Sequence, residues 1–272
     1  MAKLPLIVSG ELLKTHLTDE NVTIVDVGKP AIYEQAHLPG ALPLDYRRLQ
    51  KGELPAPGQL PALGDIAQLL SSLGITPDTH VVAYDDEGGT RAARFLWLLD
   101  AIGHAHYSFL NGGIHAWLAD DLPYEVTAPV ATPSAYGVEL FDMKKQIDLD
   151  YLRAHYRDEN LQIWDARTAE EFSGERVSAQ RGGHIPGAIH YNWEQAIDRT
   201  NDNRLRDLEV IRAELIAAGI TGKKKIITHC QTHHRSSFTW LLGKAFGFDI
   251  AGYPGAWAEW GNHSETPVAT GK

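Results

Sequence analysis

The sequence predicts an α/β protein made of two tandem copies of one domain, each a mostly parallel sheet flanked by helices. Three observations predict it. The two halves carry the same landmarks in the same order, and short β-branched runs alternate with amphipathic helical stretches throughout. A stretch rich in small residues and proline, Glu125 to Gly137, separates the halves. A repeat this long is a whole domain rather than a solenoid unit.

Each half opens on a helix with a good N-cap, Ser9 or Asp148, and Leu12, Leu13 and Leu17 correspond to Tyr151, Leu152 and Tyr156. A strand ending in aspartate follows, TIVD to Asp26 and QIWD to Asp165. Next, HLPGAL from His37 corresponds to HIPGAI from His184, the second copy being longer within SGERVSAQRGG. Two further strands correspond, LGITPDTHVVAYD ending at Asp85 and AGITGKKKIITHC ending at Cys230. A helix comes after each (FLWLLDAIG, TWLLGKAFG), then a last strand and turn (YSFLNGGIHAW, IAGYPGAWAEW). The expected division is residues 1–125, an extended linker over 126–146, and 147–272.

Composition narrows the function classes. The 272 residues are 43% hydrophobic and 22% charged, as in globular proteins. A net charge of -10 argues against nucleic acid as a partner. The start, MAKLPLIVSGELLKTHL, has an apolar run too short for a signal-peptide core or a membrane span. The expectation is a cytoplasmic protein with no membrane association. The single cysteine cannot form an internal disulfide, which suits a reducing compartment. Two covalently joined domains also suit a monomer.

That cysteine carries the chemistry. In KKKIITHCQTHHRSSFTWLLGKAFG, Cys230 ends a buried strand, and a short loop leads to a helix that Ser236 is expected to cap. Ligands of open α/β sheets bind at that sheet edge. Inward-turned loop N–H groups, the helix dipole, Arg235, His233 and His234 would all favour an anion there. Such surroundings lower a cysteine pKa and stabilise a thiolate or a persulfide anion. A lone cysteine is otherwise most simply a small buried hydrophobe.

The repeat, YEQAHLPGAL (Tyr33 to Leu42), YPGAWAEW (Tyr253 to Trp260) and the loop CQTHHR (Cys230 to Arg235) together resemble the rhodanese family, and the loop resembles that of bacterial two-domain thiosulfate sulfurtransferases. The resemblance covers about Ser9 to Pro267. It implies a catalytic C-terminal domain and an inactive N-terminal one, in which Asp85 replaces the cysteine. It also implies ping-pong transfer of sulfane sulfur from thiosulfate to cyanide or a thiol, through a Cys230 persulfide, with no metal or organic cofactor. The substrate-binding set is then Gln231, Thr232, His233, His234 and Arg235, with Arg235 either holding the anion or bracing the loop through a carboxylate. Trp193, Arg176 and Arg181 are candidates for the surrounding pocket. The acidic run Asp85–Asp86–Glu87 is either a solvated turn or a wall of the site, and Arg91 is expected to match Arg235 with one extra loop residue.

Competing readings come from the same residues. His229, Cys230, His233 and His234 match no common zinc spacing. Phosphatase-like enzymes carry a longer loop between cysteine and arginine than Gln231 to His234. A third reading is a carrier that hands persulfide sulfur to a partner protein. Asp165 with Arg167 reads as a brace for the loop, His37 and His184 as structural residues of their turns, and Trp257 and Trp260 as core or interface. For donor choice, relatives that use 3-mercaptopyruvate carry an arginine where DARTAEEF places Glu171. A carboxylate there would repel the organic acid, which favours thiosulfate.

Overall fold

The computed structural model describes residues 4–271; residues 1–3 of the N-terminal reading above, and residue 272, lie outside them. The chain divides into two units. The first comprises residues up to Leu49, Pro61–Phe141 and Ile197–Leu205; the second comprises Gln50–Leu60, Asp142–Ala196 and residues from Arg206 on. The units are therefore not contiguous along the chain, as a simple division at residues 125 and 147 would make them. Backbone contact explains the first exchange. At Gly58 an added Cβ would lie 2.2 Å from the Thr232 carbonyl oxygen and 2.5 Å from that of Pro254, so residues 50–60 pack flush on the second unit's loops. Within the first unit, the Leu205 N–H donates to Asn111 Oδ1 (2.8 Å) and Arg204 pairs with Asp120 (2.7 Å).

In chain order the first unit contains β1 (Ile7–Val8), α1 (Gly10–Lys14), β2 (Val22–Asp26), α2 (Pro30–Tyr33), β3 (Leu42–Pro43), α3 (Leu63–Ser72), β4 (His80–Tyr84), α4 (Thr90–Ala101), β5 (Tyr107–Leu110) and α5 (Gly113–Ala119). Its strands form one all-parallel sheet ordered β1-β5-β4-β2-β3. The chain continues through α6 (Leu149–His155), β6 (Leu161–Asp165), α7 (Ala169–Ser173), β7 (Ile189–His190), the hairpin β8 (Ile197–Asp198) and β9 (Arg204–Leu205), α8 (Leu208–Ala218), β10 (Lys225–His229), α9 (Arg235–Ala245), β11 (Ile250–Gly252) and α10 (Ala256–Trp260). The second unit's sheet, β11-β10-β6-β7, is also parallel throughout. Residues 126–141 are in neither helix nor strand, and Gln146 makes a parallel bridge to Gly252, beside β11 as β1 lies beside β5.

Equivalent interactions hold equivalent places. Ser9 and Asp148 accept the N–H groups of Leu12 and Tyr151 and so cap α1 and α6; each cap contributes about 1 kcal/mol. His37 stacks on Tyr33 (3.9 Å between centroids) and His184 on Phe172 (3.7 Å). Each imidazole Nδ1 also bonds the carbonyl of its stacking partner, at 2.7 and 2.8 Å. Both histidines are thus structural pins of their Pro-Gly turns. Trp117 and Trp260 repeat the same logic, their indole N–H groups donating to the Pro123 and Pro267 carbonyls (2.7 and 2.8 Å). Trp257 and Trp260 are fully buried in the second core, with Ile227 and Tyr253. Among the described residues no helix is long and apolar enough to cross a membrane.

The first unit buries two histidines, His80 and His104, whose protonation the fold resists. His80 starts β4, is 5% exposed and bonds Ser108 Oγ at 2.8 Å. Burial, then the charges of His106, His104 and His16, push it down to about 4 from the ordinary 6.5. Between those two values the unfolded chain binds a proton that the folded chain refuses, so stability falls as pH falls through that window. Urea titrations from pH 7 to 4.5 should show a loss approaching about 1.4 kcal/mol per pH unit from this group. In His80→Gln, which keeps a side-chain N–H donor, the pH dependence should flatten; parallel profiles for the two proteins would exclude His80 as the cause.

Candidate active site

Cys230 follows the last residue of β10, the strand paired on one side with β6 and on the other with β11. Its side chain is almost wholly buried at 1% exposure. The loop of residues 231–234 then enters α9, whose first residue is Arg235 and whose N-cap His234 makes no side-chain cap bond. The expectation that Ser236 caps this helix is therefore corrected. Ser236 lies inside the first turn and is fully buried, and its hydroxyl and N–H both act to lower the pKa of the Cys230 thiol.

Loop conformation aims the donors. His233 has φ +56°, in the left-handed region, and the Ser237 hydroxyl donates to its carbonyl at 2.6 Å. The Cys230 and Gln231 carbonyls are held by the Trp257 and Ala258 N–H groups, both at 2.9 Å, so α10 clamps the loop from below. Burial pushes the Cys230 thiol up. The Arg235 charge, the Ser236 hydroxyl and N–H, and the Thr232 N–H outweigh that, leaving the pKa below the ordinary 9.0.

Of the two roles left open for Arg235, the bracing one is visible in its hydrogen bonds. Its Nη1 and Nη2 donate to the two carboxylate oxygens of Glu171 at 2.7 and 2.9 Å, and its charge also acts on Cys230. Glu171 is 3% exposed and closes a capping box with Thr168 at the start of α7. Burial raises its pKa, but the Arg235 bonds prevail and hold it below the ordinary carboxylate value. The reading of Glu171 as a free carboxylate repelling substrate is thus corrected: its charge is matched by Arg235. The sequence did signal that this carboxylate turns back on its own helix start, since Thr168-x-x-Glu171 is a capping-box pattern, but not that it meets Arg235.

The remaining predicted residues separate. Gln231 donates to the Ser178 carbonyl (2.9 Å), and His234 is partly exposed at the helix start. His233 is fully buried and bonds Ser236 Oγ through Nδ1 at 2.7 Å, so it faces the serine rather than an open anion site. Arg181 is corrected from pocket residue to structural brace: its guanidinium donates to the carbonyls of Trp260, Gly261, His263 and Thr266. Arg176 is exposed, with its N–H on the Glu170 carbonyl. Trp193 is buried edge-to-face against Phe238 of α9, 5.8 Å between centroids. Asp165 and Arg167, both buried, form a two-toothed pair beneath the loop (2.6–3.1 Å), with His229 3.6 Å from Asp165. Burial alone would raise Asp165; His229 and Arg167 bring it down to about 2. A surface cleft of about 720 Å³ beside Phe172 and His190 includes none of residues 230–235. Among the described residues no three His, Cys, Asp or Glu side chains are grouped as metal ligands would be.

The first unit presents the same construction around a carboxyl group in place of the thiol. Asp85 follows β4 as Cys230 follows β10, and its carboxylate accepts the N–H groups of Glu87, Gly89, Arg91 and Ala92 at 2.8–2.9 Å. Burial pushes Asp85 up, against those four bonds. Both loops span four residues, and α4 and α9 start at equivalent places, Thr90 and Arg235. The extra loop residue expected in the first unit is absent, and the match of Arg91 to Arg235 is corrected: Thr90 stands where Arg235 does and Arg91 where Ser236 does. Asp86 and Glu87 pair with Lys29, and Glu87 with Arg91, so the acidic run is neutralised within its own unit.

The model of the Rhodanese-like domain matches residues 9–120 and again 148–263. The chain belongs to the rhodanese family. It is 45% identical over 269 residues to a Thiosulfate sulfurtransferase of Pseudomonas aeruginosa, covering 97% of each chain. It is 44% identical to a protein of the same name from Azotobacter vinelandii, covering 98% of each, and 30% identical to the Sulfur carrier protein TtuD of Thermus thermophilus, covering 98% of this chain and 97% of that one. Among solved structures, the anaerobic ergothioneine biosynthesis enzyme of Chlorobium limicola superposes with TM-score 0.88 at 22% identity, over 98% of this chain and 70% of that one. YnjE does so with TM-score 0.87 at 22% identity, over 98% and 68%. Those two share the fold.

The Arg235–Glu171 pair yields a stability prediction. Breaking a mostly buried pair from one side leaves an uncompensated charge, which costs about 3 kcal/mol. Glu171→Ala should lose that much in denaturant unfolding, and Glu171→Arg at least as much. Replacing both partners (Glu171→Leu with Arg235→Met) should cost less than either. A Glu171→Arg protein as stable as the parent would remove the pair from its place in the loop's support.

Proposed function

We propose that this chain is a thiosulfate sulfurtransferase that moves sulfane sulfur to cyanide or a thiol through a persulfide on Cys230. The observation that carries the reading is one buried sulfur with Ser236 O–H and N–H, Thr232 N–H and Arg235 all acting on it. The names of relatives at 44–45% identity over nearly the whole chain support the same activity.

The Cys230 thiolate attacks the outer sulfur of thiosulfate. A new S–S bond forms, the bond between the two thiosulfate sulfurs breaks, and sulfite leaves with the electron pair. Cyanide or a thiolate then attacks the outer sulfur of the persulfide, and Cys230 leaves as thiolate. The same donors serve both steps, because each begins or ends with negative charge at the Cys230 sulfur. Arg235 stays protonated beside Cys230 and supplies fixed positive charge to an anionic donor. Gln231, Thr232 and His234 line the approach through their backbone and side chains, and the persulfide is the only cofactor the reaction requires. A single thiol and this chemistry suit a reducing compartment, and we place the protein in the cytoplasm, working as a monomer.

Thiosulfate is favoured over 3-mercaptopyruvate. Arg235 is engaged by Glu171 through both terminal nitrogens, which leaves it poorly placed to grip an organic carboxylate in the same two-toothed manner. The bulky loop Gln231–His234 also leaves less room for an organic acid than small residues would. A second reading, delivery of the sulfur to a protein acceptor, draws on the 30% identity to a sulfur carrier.

Cys230→Ser should fold and lose all sulfur transfer, and thiosulfate treatment should add one reducible sulfur atom to the parent's intact mass and none to the variant's. Retained activity in the variant would sink the persulfide route. In steady-state kinetics thiosulfate should exceed 3-mercaptopyruvate in kcat/KM by at least about tenfold, which needs only about 1.4 kcal/mol of differential transition-state binding. A faster reaction with mercaptopyruvate would overturn the donor assignment. Slow cyanide turnover that a protein acceptor accelerates would favour the carrier.

A further inference from the structure

We infer that His233 is a positioning residue: its Nδ1–H holds the Ser236 hydroxyl in the orientation that donates to the Cys230 sulfur. The inference rests on the reading of Cys230 as the sulfur nucleophile.

The geometry comes first. His233 and Ser236 are both fully buried, and Nδ1 lies 2.7 Å from Oγ. A hydroxyl has one proton. When that proton points at the sulfur, Oγ faces the imidazole with lone pairs only, so Nδ1 must be the donor there. The order is therefore His233 Nδ1–H to Ser236 Oγ, and Ser236 O–H to Cys230 Sγ. The ends of this chain are anchored. Ser237 Oγ bonds the His233 carbonyl, and Thr239 Oγ1 bonds the Ser236 carbonyl at 3.0 Å.

The second observation is the comparison between units. His233 holds φ +56°, a conformation that a β-carbon disfavours. The first unit has Gly88 at the corresponding loop position, with φ +90°, and its loop of equal length closes on Asp85 with backbone N–H groups alone. Glycine is thus sufficient for the turn. The second unit accepts the strain of a histidine where the turn does not need one, and it does so in the unit that carries the thiol and has Ser236 in place of Arg91. An imidazole serving only to fill space would not need its nitrogen on a hydroxyl that acts on the nucleophile.

The consequence lies on the reaction path. Negative charge leaves the Cys230 sulfur when thiosulfate is attacked and returns when the acceptor takes the outer sulfur. A hydroxyl already oriented at that sulfur stabilises the departing thiolate without reorganisation. A hydroxyl free to rotate would spend part of its time on other acceptors.

The test is the pH dependence of Cys230 alkylation by iodoacetamide, followed by intact mass on the full chain. It reads the thiolate directly, so its failure is separable from a failure of thiosulfate turnover. Ser236→Ala should raise the midpoint by about one unit, roughly tenfold less thiolate below it. His233→Gly, which relieves the backbone strain, should raise it by most of that amount. His233→Asn places a side-chain N–H near the same point and tolerates positive φ, so its thiolate fraction should stay within about twofold of the parent. In Ser236→Ala, adding His233→Gly should change nothing further. The inference is overturned if His233→Gly titrates like the parent, if its shift persists without the Ser236 hydroxyl, or if His233→Asn is as impaired as His233→Gly.

Discussion

An acidic side chain at the end of an inner strand of each sheet, Asp85 or Cys230, met by the N–H groups of the turn that opens the next helix, is the constraint on which both units are built. β4 and β10 each run between two parallel neighbours, and each is followed by Asp85 or Cys230, four further loop residues and a long helix. The carbonyl of the residue after each strand is tied to the start of the last helix, Asp85 to the Ile114 N–H (3.2 Å) and Cys230 to the Trp257 N–H (2.9 Å). The approach is so close that a Cβ at Gly113 would stand 2.0 Å from the Asp85 oxygen. Ala256, its counterpart, carries a β-carbon at φ +54°. With the backbone so pinned, the turn's donors converge on the side chain of that residue, and only an anion or a strong acceptor satisfies them.

The two units answer that constraint differently. A carboxylate satisfies the first turn with two N–H groups on each oxygen. A thiolate is larger and softer and accepts fewer bonds, so the second turn adds a hydroxyl and a guanidinium. The aspartates that end the neighbouring strands diverge in parallel. Asp165 has Arg167 two residues on and is held at about 2, whereas Asp26 has Gly28 there and is raised to about 6 by burial, against bonds from Tyr84 and Gly28 and with the Asp85 and Asp86 charges adding to the rise. One sheet end is thus biased towards bound negative charge, and the other resists it.

Most of this was legible from residue order. The repeat, the strands ending in Asp26 and Asp165, the caps Ser9 and Asp148, and the strand–loop–helix around Cys230 all follow from local patterning, which depends on near neighbours in the chain. What escaped was decided by contacts between distant segments. Nothing near Glu171 announces that its carboxylate meets Arg235, and nothing near Arg181 announces four carbonyls of the C-terminal turn. Ser236 was misassigned for a subtler reason. A serine before an apolar helical run is ordinarily a cap, but here the helix already starts at Arg235, and the buried Ser236 Oγ meets His233 Nδ1 instead.

The placement of the counter-charge explains why the second loop can be reactive and remain ordered. In the first unit Arg91 finds Glu87 within its own loop, at 2.9 Å, so charge is balanced on the rim of the turn itself. A carboxylate in that position would face any anion approaching Cys230. In the second unit the loop residues 231–234 carry no acid, and Arg235 is balanced from α7 instead. The capping box that orients Glu171 makes the first turn of α7 a fixed support, so the guanidinium is held without an acid being placed in the loop. Arg235 then retains charge towards the sulfur while its terminal nitrogens are satisfied elsewhere. Loop order and a lowered thiol pKa come from the same side chain because its two partners, Glu171 and Cys230, belong to different elements.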